Sequence, residues 1–183
     1  MKKLYVAMVA AVISSGAATV AQAFDGAKTG YVGVSYGEHT QKTQLFDKGK
    51  ATTDNIFLRL GGDISPVFSS ELKLGFNTKK ASGSSSIGEN MKVQNSYIAT
   101  ALLRAGHDIG VFKPYVAAGY SFAKEKAQSD AGKMKASAHG LSYGAGIDAS
   151  VSEDVVLNVE WLQLVERSSV DLKGWTVGVA VRF

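Results

Sequence analysis

"GLSYGAGIDASVSEDVVLNVEW", residues Gly140 to Trp161, reads as two strands and the turn between them. Leu141, Tyr143, Ala145, Ile147 and Ala149 alternate with Ser142, Gly144, Gly146, Asp148 and Ser150. After residues 151 to 154, Val155, Leu157, Val159 and Trp161 alternate with Asn158 and Glu160. Strict period-two alternation is the mark of a strand with two unlike faces, and so short a link suits antiparallel neighbours. One face of this hairpin is apolar throughout; the other is small, polar or charged. The fold turns on which face meets other protein.

Working outward, the same period recurs six more times. Thr29 to Gly37 sets Val32, Val34 and Tyr36 on one face. Asp54 to Ile64 sets Ile56, Leu58, Leu60 and Ile64 against Phe57, Arg59 and Asp63. Ser70 to Thr78 sets Leu72, Leu74 and Phe76 against Glu71, Lys73 and Asn77. Val93 to Arg104 sets Tyr97, Ala99, Ala101 and Leu103 against Ser96, Thr100 and Arg104. Lys113 to Ala123 carries Val116, Ala118, Tyr120 and Phe122 on its apolar side, and the closing "GWTVGVAVRF", Gly174 to Phe183, carries Val177, Val179 and Val181. With the opening hairpin these make eight strands, the smallest even number that closes as a transmembrane barrel.

The links between them alternate in length. Residues 38–53, 79–92, 124–138 and about 163–171 are polar and mostly long, whereas 65–69, 105–112 and 151–154 are short. Antiparallel order puts the long links at one end and the short ones at the other, the habit of outer-membrane barrels. Along the apolar face Tyr36, Phe76, Tyr97, Tyr120, Phe122, Tyr143, Trp161 and Trp175 all fall toward the long-link end, with Phe183 at the opposite end. Amphipathic rings gather where hydrocarbon meets water, so these eight are expected to mark a membrane interface. A soluble lipocalin-type barrel would turn the apolar face inward instead. Its outer face would then be unusually rich in glycine, serine and alanine, and the aromatic ring would have no purpose.

The N-terminal segment supports export. Lys2 and Lys3 precede an apolar stretch from Leu4 to Ile13, and small residues lead to Ala21-Gln22-Ala23. That is the three-part pattern of a secretory signal peptide, too short to span a membrane, with cleavage expected after Ala23. Residues 1–23 are thus expected to be a signal peptide and 24–183 one barrel domain. No cysteine occurs in the chain, so its stability in an oxidising compartment rests on no disulfide. The formal charge of +4 falls to +2 without Lys2 and Lys3, too little to suggest a nucleic-acid partner.

"FKPYVAAGYSF" (Phe112 to Phe122), "GLSYGAGIDASVSEDVVLNVEW" and "VGVAVRF" together resemble the small eight-stranded outer-membrane β-barrels: the opacity-protein, Ail/Lom-like and OmpX-like group, also described as a porin-family outer-membrane β-barrel domain. The resemblance implies an all-β, eight-stranded, antiparallel up-and-down barrel in the cell outer membrane of a Gram-negative bacterium. It also implies that Val179, Val181 and the final Phe183 are read by the outer-membrane barrel assembly machinery. Leu162 stands where members of the group often carry an inward arginine or other polar residue.

On the polar face Arg59, Asp63, Glu71, Lys73, Arg104, Asp148, Glu160 and Arg182 are expected to form a lumen charge network. An eight-stranded barrel is only wide enough for side chains to fill it, and charges withheld from water must neutralise one another. The expected central pairs join Arg59 to Glu71 or Glu160. No catalytic constellation is legible: His39, His107 and His139 are the only histidines, His139 and Ser142 are spaced too widely for a lipid A deacylase motif, and solvated loop positions suit His39 and His139. No cofactor or metal pattern stands out.

The expected partners are outer-membrane lipid and lipopolysaccharide. Lys42, Lys48, Lys50, Lys79, Lys80, Lys92, Lys124, Lys126, Lys133, Lys135, Arg167 and Lys173 could neutralise its phosphates from the rim. The resemblance also implies that loops of this kind can recognise surface macromolecules, host proteins among them. A closed barrel has no edge that requires a second copy, so a monomer is expected. Sequence therefore points to a closed outer-membrane barrel contributing to envelope integrity and adhesion, with a narrow porin passing small solutes as the alternative.

Overall fold

A computed structural model describes residues 29–43, 50–78, 81–84, 90–129, 132–167 and 170–183. The proposed signal peptide lies outside them. The strands are β1 (Gly30–Thr43), β2 (Lys50–Asp63), β3 (Phe68–Asn77), β4 (Ala81–Ser84), β5 (Asn90–Gly106), β6 (Phe112–Ser129), β7 (Gly132–Ser150), β8 (Val155–Arg167) and β9 (Val170–Arg182). Every pairing is antiparallel, and β3 and β4 both pair with β5, at successive heights, so nine segments make eight staves. Pairing of β1 with β9 closes the ring.

The stagger of the wall follows from the register. From Ser150 on β7 the pairings run through Val156, Ala180, Gly33, Arg59, Lys73, Thr100 and Ser121, and return to β7 at Gly140. The offset is ten residues, 150 minus 140. Eight staves with that stagger lean about 40° from the barrel axis, inside the usual range for closed barrels.

The strands run past their expected ends. Residues 38–43, 50–53, 90–92, 124–129, 132–138, 163–167 and 170–171, expected in long polar links, continue the ladder. Apolar alternation stops where the lipid stops, but backbone pairing needs no apolar face, and the threonines at 40, 43, 52 and 53 favour extended structure. The short connections behave as tight turns. Ser65 Oγ accepts from Phe68 N (3.0 Å), Ser152 Oγ accepts from Val155 N (3.1 Å), and Gly110 supplies the one positive φ among the described residues, 63°.

Burial is inverted relative to a soluble barrel. Along β3, exposed and buried residues alternate from Phe68 to Phe76, and it is Leu72 that is 55% exposed while Glu71 is 2% exposed. Leu58, Leu60, Leu74, Leu103, Val116, Leu141, Leu157, Val159 and Val177 likewise face out, whereas Arg59, Lys73, Arg104, Asp148 and Glu160 face in. A predominantly apolar exterior around buried charge is stable only against hydrocarbon. The lipocalin-like alternative is thereby overturned.

Candidate functional site

Inward residues stack in layers set by the register. The layer nearer the short turns is built on Glu71. Its Oε2 accepts from Arg59 Nε (3.1 Å) and Nη2 (2.6 Å), from Arg104 Nη1 (3.3 Å) and from the Tyr31 hydroxyl. Lys73 Nζ stands 3.4 Å from Glu71 Oε1 and bonds Glu160 across the lumen. Arg104 also bonds Asp148, lies 3.5 Å over the Tyr115 ring and donates to Tyr31 (2.8 Å). The Tyr115 hydroxyl donates to Glu160 (2.9 Å), and Asn158 Nδ2 donates to both Tyr115 (2.8 Å) and Asp148 (2.6 Å).

Six of the eight charged residues singled out from sequence thus meet in one buried cluster, three cations facing three acids. Arg59 takes Glu71 as its partner, and Glu160 belongs to Lys73. Asp63 and Arg182 stand lower, at the mouth on the short-turn side, where Asp63 accepts from Lys113 at 3.2 Å. Tyr31, Tyr115 and Asn158 complete the cluster and were not among the sequence candidates. A signal for the two tyrosines exists: each pairs across strands with an inward glycine, Tyr31 with Gly61 and Tyr115 with Gly146. A Cβ on either glycine would collide with the tyrosine ring, so the rings lie flat against bare backbone.

Above the charges the lumen becomes neutral and then apolar. Thr100, Ser121 and Ser142 exchange hydroxyl bonds (2.7 and 2.6 Å), and Ser142 also bonds the Leu164 carbonyl. Phe57, Ile98, Leu162, Leu164 and Leu172 then fill the interior, each at most 1% exposed. Phe57 repeats the aromatic-on-glycine device over Gly75. His39 sits in this upper layer, fully buried against the Phe57 ring with Asn55 Nδ2 3.2 Å from its Nδ1. The expected solvated position is therefore corrected: β1 extends past Gly37, and its inward parity carries His39 into the lumen.

The other histidines lie elsewhere. His139 faces outward and pairs with the Tyr120 hydroxyl (2.5 Å), on the opposite face of β7 from Ser142, while His107 is exposed beside a short turn. Among the described residues no group of three or more histidine, aspartate or glutamate side chains is placed to hold a metal ion.

The outward aromatics lie toward the long-link end. Tyr36, Phe76, Tyr120, Tyr143 and Trp175 are exposed, and Tyr97, Phe122 and Trp161 are half-buried by neighbours. Tyr97 packs on Phe122 (6.3 Å), Tyr143 meets Trp161 edge-on (6.4 Å), and Trp161 pairs across strands with Trp175. Lys124 Nζ lies 5.6 Å over the Tyr97 ring. At the other end Phe68 and Phe112 face out, a second group that sequence reading left unnoticed. Phe183 joins them, exchanging both backbone bonds with Gly30 (3.2 and 2.9 Å) and laying its ring where a Gly30 side chain would stand. From strand rise and tilt the two groups lie roughly 20 Å apart, close to the height of an outer-membrane apolar band.

The family described as outer membrane protein beta-barrel domain matches residues 7–183, nearly the whole chain. The chain belongs to that family. Membership locates it in the outer membrane, and the chain's antiparallel eight-stave barrel, apolar outside and charged within, agrees with that family. Solved structures similar to this family member include Neisserial surface protein A, with 19% identity, a TM-score of 0.62 and coverage of 84% of this chain and 97% of that one. The attachment invasion locus protein Ail of Yersinia pestis is similar at 15% identity, with a TM-score of 0.60 over 84% of this chain and 97% of its own. The same protein in complex with the heparin analogue sucrose octasulfate gives 16% identity and a TM-score of 0.58, over 85% and 99%. Among curated proteins no relative matches the sequence.

Proposed function

We propose that this chain works at its surfaces and not through its lumen: a closed outer-membrane barrel that contributes to envelope integrity and presents its outer strand ends to anionic polymers. The observation that carries this reading is the filled interior, a neutralised charge layer beneath an apolar layer of Phe57, Ile98, Leu162, Leu164 and Leu172. Purified mature protein in planar lipid bilayers is expected to give no persistent conductance steps. Large, lasting steps would establish the competing reading, a narrow pore for small solutes.

In this reading residues 1–23 direct export and are removed, and Val179, Val181 and Phe183 are the assembly signal. Tyr36, Phe76, Tyr97, Tyr120, Phe122, Tyr143, Trp161 and Trp175 anchor the outer interface. Lys124 stacked on Tyr97 and His139 bonded to Tyr120 stand at the depth where lipopolysaccharide phosphates lie. The lysines of the long links extend this basic character outward, and the sulfated ligand of the Yersinia pestis protein supports sulfated or phosphorylated polymers as the class to test. Protein shortened across 44–49, 79–89 and 130–131, with Lys124, Lys126, Lys133 and Lys135 also replaced by Gln, is expected to fold yet lose binding to heparin-coated surfaces. Undiminished binding would end the adhesion reading.

A further inference from the structure

The aromatic group at the short-turn end is not where the apolar surface stops. Ile64 and Val67, in the turn between β2 and β3, and Ile109 and Val111, in the turn between β5 and β6, are between 44% and 66% exposed and lie beyond Phe68 and Phe112. An outer-membrane apolar band ordinarily ends at its aromatic girdle. We infer that these two turns are seated in phospholipid, in the leaflet opposite the lipopolysaccharide, so that this side of the short-turn end is embedded instead of standing in water.

Three observations converge on it. The first is continuity: the turns adjoin, with Gly106 N donating to the Val67 carbonyl at 2.8 Å, and their apolar side chains extend a surface that already faces lipid. Exposed apolar patches of this kind mark contact with membrane or protein, and this one runs on from membrane. The second is the backbone. Every N–H of residues 64–67 has an acceptor: Ile64 and Ser65 donate to the Phe68 carbonyl (2.8 and 3.0 Å), Val67 donates to Ser65 Oγ (3.3 Å), and Pro66 has no N–H to place. In the second turn His107 and Ile109 donate to the Pro114 and Phe112 carbonyls (3.3 and 2.7 Å). A chain reversal that touches acyl chains needs its donors occupied, a condition water does not impose. The third is charge. Residues 64–67 carry none and 107–111 carry Asp108 as their one formal charge, whereas 151–154 hold both Glu153 and Asp154. The apolar strip therefore ends at the third turn.

The sequence has no cysteine, so single sites can be spin-labelled cleanly: Val67→Cys and Ile109→Cys in the strip, Glu153→Cys in the third turn, and Leu72→Cys as a hydrocarbon reference. Mature protein is folded into vesicles of phosphatidylethanolamine and phosphatidylglycerol with a water-soluble nickel complex on both sides, and relaxation of each label by oxygen and by nickel is compared. The oxygen-to-nickel ratio at 67 and 109 is expected to lie several-fold above that at 153, toward that at 72. Unlabelled wild type gives a second reading that needs no variant to fold: a phospholipid carrying a diazirine in its upper acyl chain should leave adducts on 64–68 and 109–112 and none on 151–154. Ratios at 67 and 109 no higher than at 153, or adducts absent from both turns, would put the turns in water and overturn the inference.

Discussion

Glu71 carries more of the interior than any other side chain, because one carboxylate faces Arg59, Lys73 and Arg104 together. Removing its charge leaves three buried cations against two acids, so Glu71→Gln is expected to cost about 3–5 kcal/mol, read from urea unfolding in lipid vesicles. Replacing both members of a pair is a different experiment: Lys73→Met with Glu160→Leu should cost far less than Lys73→Met alone, since no charge is stranded. Gly146 tests the packing beneath. Gly146→Ala drives a methyl into the Tyr115 ring and against the Val159 carbonyl and should cost about 1–3 kcal/mol, of which only the share owed to the ring is recovered when Tyr115→Ala is added; equal costs in both backgrounds would show that the ring does not need bare backbone. At this scale sequence parity was enough to bring the charged residues to one face. It did not reveal which acid each base would choose, because partner choice depends on a stagger that no single strand records.

Strands were legible wherever lipid enforces alternation, and less so beyond it. The outward alternation that includes Val116, Leu141 and Leu157 ends at the membrane boundary, and past it only the backbone ladder continues, as in the upper halves of β6 and β7. His39 shows the consequence: a residue assigned to a loop by composition belongs to a strand by pairing, with Thr53 opposite it. Mid-height of the apolar band falls near Val159, which faces out on β8. Val159→Arg is expected to destabilise by about 2–4 kcal/mol, whereas Val151→Arg, in a short turn, should cost about 0–1 kcal/mol. Folding titrations into vesicles check both; equal costs would place the hydrocarbon somewhere other than along β8.

The whole barrel obeys one rule of sidedness, and its compactness in detergent follows from it. Unheated samples should run faster than boiled ones on denaturing gels, with the difference lost in Glu71→Gln before it is lost in Val151→Arg. Closure was legible from eight segments and alternating link lengths; the ten-residue stagger was not, since it is a property of the ring as a whole.

The seam between β1 and β9 joins the first stave to the last, from Tyr31 with Arg182 to Thr43 with Val170. Until the ribosome has delivered β9, every nascent intermediate exposes two raw sheet margins that hydrocarbon will not tolerate. Insertion consequently waits on that strand, and the interval between synthesis and closure is one in which both margins need cover from hydrocarbon.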